Sequence, residues 1–382
     1  MTRFISGNQV TLLRNGAEYF PALEAAIDEA LSEIHLQTYI FEDDAVGKHI
    51  AAALARAAIR GVSVYLLLDG FGCKDTPKKL RDNLRESGVE VLIYRQKISP
   101  WTFKRNRLRR QHRKVAVIDG AVAFVGGINI IDDMNVPDHT PPRIDYAVRV
   151  EGLLLLQITA STRRLWRHLA WLHLHKKTPE PTFKYHSAGD VKAAYVVRDN
   201  ALHRRDIESA YLTAIRHAHQ EIIICHAYFL PGIRFRRELI RAAKRGVRVV
   251  ILLQARVEFW LINHATRALY GNLLDAGIEI HEYHKSLMHS KVAVIDRHWA
   301  TVGSSNIDPF SLFLSREANV VVDNSDFASR LHEDMHFAIT NNAKQVSAKD
   351  WAHSSALQRG LAWVSYGLIR LLMGLVGING KD

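Results

Sequence analysis

The sequence predicts an α/β protein made of two homologous halves, each an α/β unit with helices covering a sheet. Three observations carry this. A series of segments recurs in the same order in both halves. The apolar runs within it are short, continuous and rich in β-branched residues, as in strands buried on both faces. Helical patterns alternate with those runs. The length of 382 residues agrees, since roughly 100–200 residues per domain gives about two domains.

In chain order, a first helix is expected over Ala17 to Ile34, and its counterpart over Arg205 to His219. Gln37-Thr38-Tyr39-Ile40-Phe41 then corresponds to Cys225-His226-Ala227-Tyr228-Phe229. A helical pattern follows each, closing on Arg60-Gly61-Val62 and on Arg245-Gly246-Val247. The next strands are Val64 to Leu68 and Val249 to Leu253, and Ser87-Gly88-Val89-Glu90-Val91 mirrors Ala276-Gly277-Ile278-Glu279-Ile280. His112 to Asp119 finally mirrors His289 to Asp296. Pro179 and Pro181 interrupt the pattern and mark a linker. The expected organisation is an N-terminal lobe over 1–175, a linker over 176–192, a C-terminal lobe over 193–345 and an apolar, membrane-associating segment over 346–382.

Lys and Arg total 51 against 39 Asp and Glu, a net charge of +12, which points to anionic partners. Cys73 and Cys225 are the sole cysteines, which excludes a disulfide scaffold or a four-cysteine zinc site and suits a reducing compartment. Met1 to Gly16 lacks the apolar run of an export signal. The most apolar stretch, Leu361 to Ile378, is 18 residues long and interrupted by Gly367, Arg370, Gly374 and Gly377. That is the lower limit for spanning a bilayer. Two readings stay open for it: a buried C-terminal helix, or a segment lying in or dipping into a membrane.

The halves differ in one place. Tyr94 and Tyr283 are 189 apart, but His112 and His289 only 177 apart, so the first half carries 12 extra residues just before its histidine. They fall within Arg95 to Gln111, a stretch with no acid but with Trp101, Phe103, Arg105, Arg109 and further basic residues. Cations interleaved with aromatics beside the strongest motif suggest an anionic interface, with Trp101, Arg105 and Arg109 as candidate lipid contacts. A solvated charged face is the plainer alternative.

The motif is His-x-Lys-x4-Asp, present as His112, Lys114, Asp119 and as His289, Lys291, Asp296. Each copy runs into a Gly/Ser turn with Asn, Gly126-Gly127-Ile128-Asn129 and Gly303-Ser304-Ser305-Asn306. Residues two apart on a strand share a face, so each His sits beside its Lys. Pseudo-two-fold packing of the halves would bring two His, two Lys and two Asn into one pocket. Such a set suits phosphoryl chemistry. The lysines supply fixed positive charge, and Asn129, Asn306 and Ser304 are candidate hydrogen-bond donors to phosphate. One histidine can attack phosphorus, and the other can serve as acid and then base. With lysines as the cations, no metal or other cofactor is called for.

This doubled motif resembles that of the phospholipase D superfamily, and the resemblance extends over about residues 5–345 to its bacterial cardiolipin synthase branch. Supporting stretches include Leu12-Leu13-Arg14-Asn15-Gly16, Leu68-Asp69-Gly70, Asp145 to Gly152 and Trp299 to Pro309. The resemblance implies two pseudo-symmetric lobes, each a mixed β-sheet flanked by helices, with one active site at their interface. It counts His112, Lys114, Asp119, His289, Lys291 and Asp296 as the catalytic motif, with one histidine phosphatidylated; His112 is taken as nucleophile and His289 as acid and base. Strand parity puts Asp119 and Asp296 on the face away from their lysines, so structural roles are expected for both.

A working histidine needs an orienting carboxylate. Asp145 and Glu317 each head an apolar strand after the Asn and are expected to bond the two histidines. Glu42, Asp43 and Asp44 either line the mouth or cap a helix. Arg163, Arg164, Trp166, Arg167 and Trp171 form an amphipathic stretch suited to a headgroup layer or to packing. The expected activity is phosphatidyl transfer between phospholipids, phosphatidylglycerol foremost, at an anionic cell membrane, with the lobes on its cytoplasmic side and no nucleic-acid partner. A nuclease of the same superfamily and an inactive membrane scaffold are the rival readings.

Overall fold

The computed structural model describes residues 2–95, 109–136, 139–172, 180–255, 260–352 and 356–375. The first half contains β1 (Ile5–Arg14), α1 (Asn15–Asp28), β2 (Glu33–Thr38), α2 (Ala45–Ile59), β3 (Ser63–Asp69), α3 (Lys78–Glu86), β4 (Glu90–Tyr94), β5 (Lys114–Ile118), β6 (Val122–Gly126), β7 (Tyr146–Gly152) and α4 (Leu155–Leu172). The second contains β8 (Val191–Arg198), α5 (Asp206–His217), β9 (Glu221–His226), α6 (Ile233–Lys244), β10 (Arg248–Gln254), α7 (Trp260–Arg267), α8 (Tyr270–Leu274), β11 (Glu279–Tyr283), β12 (Lys291–Ile295), β13 (Trp299–Gly303), α9 (Pro309–Phe313), β14 (Glu317–Asp323) and α10 (Ser325–Asn342). A short β15 (Ala343–Gln345), α11 (Ala348–Ala352) and α12 (Ala356–Leu375) follow.

The strand order states the repeat in space. One half runs β1-β7-β6-β5-β2-β3-β4 and the other β8-β14-β13-β12-β9-β10-β11, position for position the same, with β15 added at the end. In both, the three outer strands are parallel and the rest antiparallel. The halves join along antiparallel β1 and β8. The sheets then fold over each other, so that β13 and β14 contact β6 and β7.

Three apolar layers result. Val115, Val117, Val148 and Val150 meet Val292, Val294, Val302 and Val320 between the sheets. The opposite face of the first sheet, with Leu36, Leu66 and Ala116, is covered by α1 and α2. That of the second, with Ile224, Ile251 and Ala293, is covered by α5 and α6. Strands buried on both faces explain why their sequences read as unbroken apolar runs.

The first helix is shorter than its pattern suggested. It ends at Asp28, and Ile34 lies in β2. The cause is Asp119, at the far end of β5, whose carboxylate accepts hydrogen bonds from the backbone N–H groups of Leu31, Ser32 and Glu33 at 2.7, 2.9 and 2.7 Å. Those contacts hold the chain in the turn that starts β2. Asp296 does the same for His219, Gln220 and Glu221 at 2.8, 2.8 and 2.9 Å. Both aspartates have φ of 51°, the left-handed region that Asp tolerates better than most residues.

Candidate active site

The motif histidines lie where the two halves meet, and the backbone explains their placement. The His112 N–H donates to the Arg316 carbonyl at 3.0 Å, and the Arg316 N–H donates to the Arg110 carbonyl at 2.8 Å. The second half repeats this: the His289 N–H donates to the Ile144 carbonyl at 2.8 Å, and the Ile144 N–H to the Leu287 carbonyl at 2.9 Å. Arg316 and Ile144 immediately precede Glu317 and Asp145. Each seam therefore delivers the acid of one half to the histidine of the other. A buried acceptor at the end of β3 or β10 holds the stretch leading into each histidine: Asp69 accepts from the Gln111 N–H at 2.7 Å, and Gln254 from the Met288 N–H at 2.7 Å.

The side chains complete the crossing. His112 Nδ1 lies 3.0 Å from the Glu317 carboxylate, and His289 Nδ1 lies 2.6 Å from Asp145 Oδ2. Asp145 and Glu317 thus meet the histidines, each across the interface rather than within its own half. Facing the Glu317 carboxylate, Nδ1 of His112 is assigned the ring proton, which leaves its Nε2 unprotonated; His289 Nδ1 meets both Asp145 and, at 2.8 Å, Lys291 Nζ. Lys114 Nζ donates to the His112 carbonyl at 2.9 Å, and Lys291 Nζ donates to the His289 carbonyl and lies 3.7 Å from Asp145. The Tyr39 ring packs edge-on against His112 at 4.7 Å, with the Lys114 ammonium 5.2 Å from its centroid. Nothing in the sequence pattern had singled out Tyr39, whose counterpart in the repeat is Ala227.

Burial governs the charges. It pushes His289 down to about 3, Lys291 adding to the effect against Asp145, and it lowers His112 against the opposing pull of Glu317. Burial likewise brings Lys114 down to about 7 and Lys291 to about 8, in each case against nearby carboxylates. Asp145 feels the same desolvation, but Lys291 and His289 outweigh it and hold its carboxyl below the ordinary range. The site therefore holds two neutral imidazoles and two ammonium groups that lose protons easily, beside the carboxylates of Asp145 and Glu317.

The remaining expected residues divide. Asn129 is buried, with Oδ1 accepting from the Ile40 N–H at 3.1 Å. Asn306 is buried with no partner for Oδ1. Ser304 lies against the acid of its own half. Its hydroxyl donates to Glu317 Oε2 at 2.5 Å and accepts from the Ala318 N–H at 3.0 Å, so it holds the acid. Asp119 and Asp296 stand apart from the pocket, because each follows a five-residue strand, about 16 Å of extended chain, whose other end carries the histidine. Asp44 caps α2 by accepting from the Gly47 N–H at 2.9 Å. Trp101 and Arg105 lie outside the described residues; Arg109 is partly buried beside the first seam. Of the amphipathic stretch on α4, Trp166 is core and Arg163 pairs with Glu33 at 2.8 Å, while Trp171 is exposed.

A family model described as "Cardiolipin synthase, PLD-like domain" matches residues 23–137 and again 211–337. The chain is 38% identical over 350 residues to cardiolipin synthase B of Shigella flexneri, covering 89% of this chain and 82% of the relative, and the same figures hold for Escherichia coli K12. The minor cardiolipin synthase ClsB of Bacillus subtilis is 28% identical over 375 residues, covering 94% and 88%. In fold it resembles a crystal structure of phosphatidylserine synthase from Haemophilus influenzae, with a TM-score of 0.67 at 12% identity, covering 97% of this chain and 95% of that one. A polyphosphate kinase from Porphyromonas gingivalis shares the fold at a TM-score of 0.58 and 14% identity, covering 97% and 54%.

Proposed function

The chain belongs to the phospholipase D-like cardiolipin synthase family, and from that premise we infer that it is a phosphatidyltransferase that makes cardiolipin. The observation that carries the mechanism is the pair of crossed histidine–carboxylate contacts. The donor is phosphatidylglycerol, whose phosphodiester sits between Lys114 and Lys291. His112 Nε2 attacks phosphorus while the bond to the glycerol oxygen breaks, and His289 gives that oxygen a proton. Its proton comes with the substrate: the anionic phosphodiester and Asp145 together favour the imidazolium that burial alone disfavours. Glycerol leaves. A hydroxyl of a second phosphatidylglycerol then gives its proton to His289 and attacks phosphorus, the P–N bond breaks, and cardiolipin departs. Asn306 is buried with its Oδ1 unpartnered, and its Nδ2 is the atom that would donate to the phosphate.

The enzyme meets its substrate at a membrane surface. No helix among the described residues is long and apolar enough to cross a bilayer, which argues for attachment from one side. On α12, Ala362, Ser365 and Ile369 are buried, whereas Leu357, Leu361, Val364, Leu368 and Leu371 are exposed, at spacings of three and four that align them in one outward stripe. We assign this stripe to the interfacial layer of an anionic membrane.

The test uses purified protein in phosphatidylglycerol vesicles with EDTA. Cardiolipin and glycerol are expected in equal amounts, and His112→Ala should abolish both. Strict dependence on a divalent metal, or DNA cleavage without lipid turnover, would overturn the assignment.

A further inference from the structure

A second cationic cavity opens on the other side of the first seam. It has a volume of about 730 Å³ and is lined by Arg113, Ser161, Arg164, Tyr195, Asp199 and Arg316, among others. Arg113 is the residue between His112 and Lys114. Its neighbours face the active site, while its own guanidinium lies on α4's side, donating to Ser161 Oγ at 3.2 Å. Arg113 is 3% exposed, and its Nε has no hydrogen-bond partner. Arg316 Nε is likewise buried and unpartnered, and the buried Tyr195 hydroxyl reaches Ser161.

The walls of this cavity are cationic. Arg113 and Arg316 are near enough to repel one another, and Arg164 adds a third guanidinium to the same walls. Asp199 is the one carboxylate among the lining residues. It attracts Arg113 and Arg316 without a close ion pair among the described residues, and its Oδ1 is occupied by the N–H groups of Ala201 and His203 at 2.8 and 3.0 Å. Asp199 and Glu317 offset part of the charge on Arg113, and a buried guanidinium whose counter-charge is incomplete is costly. The other seam shows that the fold does not require it: the positions equivalent to Arg113 and Arg316 are Ser290 and Ile144.

We propose that this cavity is a second anion site, distinct from the transfer site, which binds a phosphate group between Arg113 and Arg316. Planar guanidinium forks suit phosphate oxygens, and the buried Tyr195 hydroxyl is a further donor. Because Arg316 supplies the carbonyl that binds the His112 N–H and precedes Glu317, a bound phosphate draws together the two strands that hold His112 against Glu317. The ligand is a phosphate ester or free phosphate; the shared chemistry is the tetrahedral anion.

The test separates the two sites by measuring binding rather than turnover. Inorganic phosphate is titrated calorimetrically into the full chain carrying Lys114→Met and Lys291→Met, which removes the cations of the transfer site. One remaining phosphate site is expected, weakened at least tenfold by adding Arg316→Gln and about threefold by adding Arg164→Gln, an exposed and structurally safe change. Without phosphate, Arg316→Gln should raise the melting temperature, because it relieves the repulsion. Glycerophosphoglycerol competing at lower concentration than phosphate would identify a lipid headgroup as the ligand; phosphate binding without such competition would identify free phosphate. Loss of all binding in the Lys114→Met, Lys291→Met background, or binding indifferent to both arginine changes, would refute the second site while leaving the transfer mechanism untouched.

Discussion

The two half-sites perform the same bonding with different parts. On one side Asp145 reaches His289 at 2.6 Å; on the other Glu317 reaches His112 at 3.0 Å. The extra methylene of Glu317 is matched by Ser304, whose hydroxyl grips it at 2.5 Å. At the equivalent position the first half has Gly127, where an added Cβ would come within 2.2 Å of Asp145 Oδ1. A short acid thus requires bare backbone beside it, and a long one is steadied by a serine. The first half also sets Tyr39 against its histidine and lysine, where the second has Ala227. His289 is the more exposed ring, at 22% against 14%. A duplicated fold has been kept while its two histidines were given unequal surroundings, which suits the proposed division into a nucleophile and an acid–base catalyst.

The largest test of that inequality is to delete each ring. His112→Ala should abolish both covalent labelling and transfer. His289→Ala should slow transfer about 10²–10⁴-fold yet still permit slow labelling from a donor with a good leaving group, seen as acid-labile phosphohistidine. Labelling that survives in His112→Ala and vanishes in His289→Ala would exchange the assignments.

The acids come next. Asp145→Asn and Glu317→Gln each remove a charge that favours the imidazolium, so each lowers the pKa of the opposite half's histidine. Transfer should fall about 10²-fold or more in both. The pH profiles should differ. With His289 as the acid, Asp145→Asn shifts the alkaline limb of kcat to lower pH, while Glu317→Gln leaves that limb in place. A shift in the wrong variant would again reverse the roles.

Much of this was legible in the sequence, for reasons that are local. The repeat, the strand runs and the motif spacing all follow from neighbours along the chain. Strand parity alone separated Asp119 and Asp296 from their lysines, and the structure gives each a turn to hold. The crossing was not legible. His112 and Glu317 are 205 residues apart, and only the seam between Arg110 and Arg316 decides which acid meets which ring. The bond of Ser304 to Glu317 was not legible either, because Glu317 belongs to the neighbouring strand of the hairpin and not to the turn of Ser304. The Gly127–Asp145 and Ser304–Glu317 pairing was available as a signal, since small residue and acid change together between the repeats.

Proton uptake sharpens the comparison further. In the empty site Lys114 titrates near 7 and Lys291 near 8, both pushed down by burial. A phosphate anion restores their charge, so its binding at pH 8 should take up protons, more through Lys114 than through Lys291. Calorimetry in buffers of different ionisation enthalpy measures this, and Lys114→Met should remove the larger part. The same shifts bear on stability. An unfolded lysine titrates near 10.4, so between about pH 7 and that value the unfolded chain holds more protons, and these lysines make stability rise with pH. His289 and the structural His226, both pushed down to about 3 by burial, act likewise at acid pH: their contribution is present above about 6.5 and declines as pH falls toward 3. His226→Gln should flatten that acid limb in urea denaturation without altering the proton uptake.

The smallest expected effect concerns the serine. Ser304→Ala removes one hydrogen bond from a fully buried carboxylate and leaves the backbone N–H of Ala318 without its acceptor, so stability should fall by about 1–3 kcal/mol. Glu317 remains in reach of His112, and its position is fixed by the Arg316 seam, so transfer should slow by less than about tenfold, with the alkaline limb unmoved. A loss as large as that of Glu317→Gln would mean that the hydroxyl, and not the seam, sets the geometry of this half-site. The long acid would then depend on its serine in a way the short acid does not depend on Gly127, and the two halves would differ in how they are held as well as in what they do.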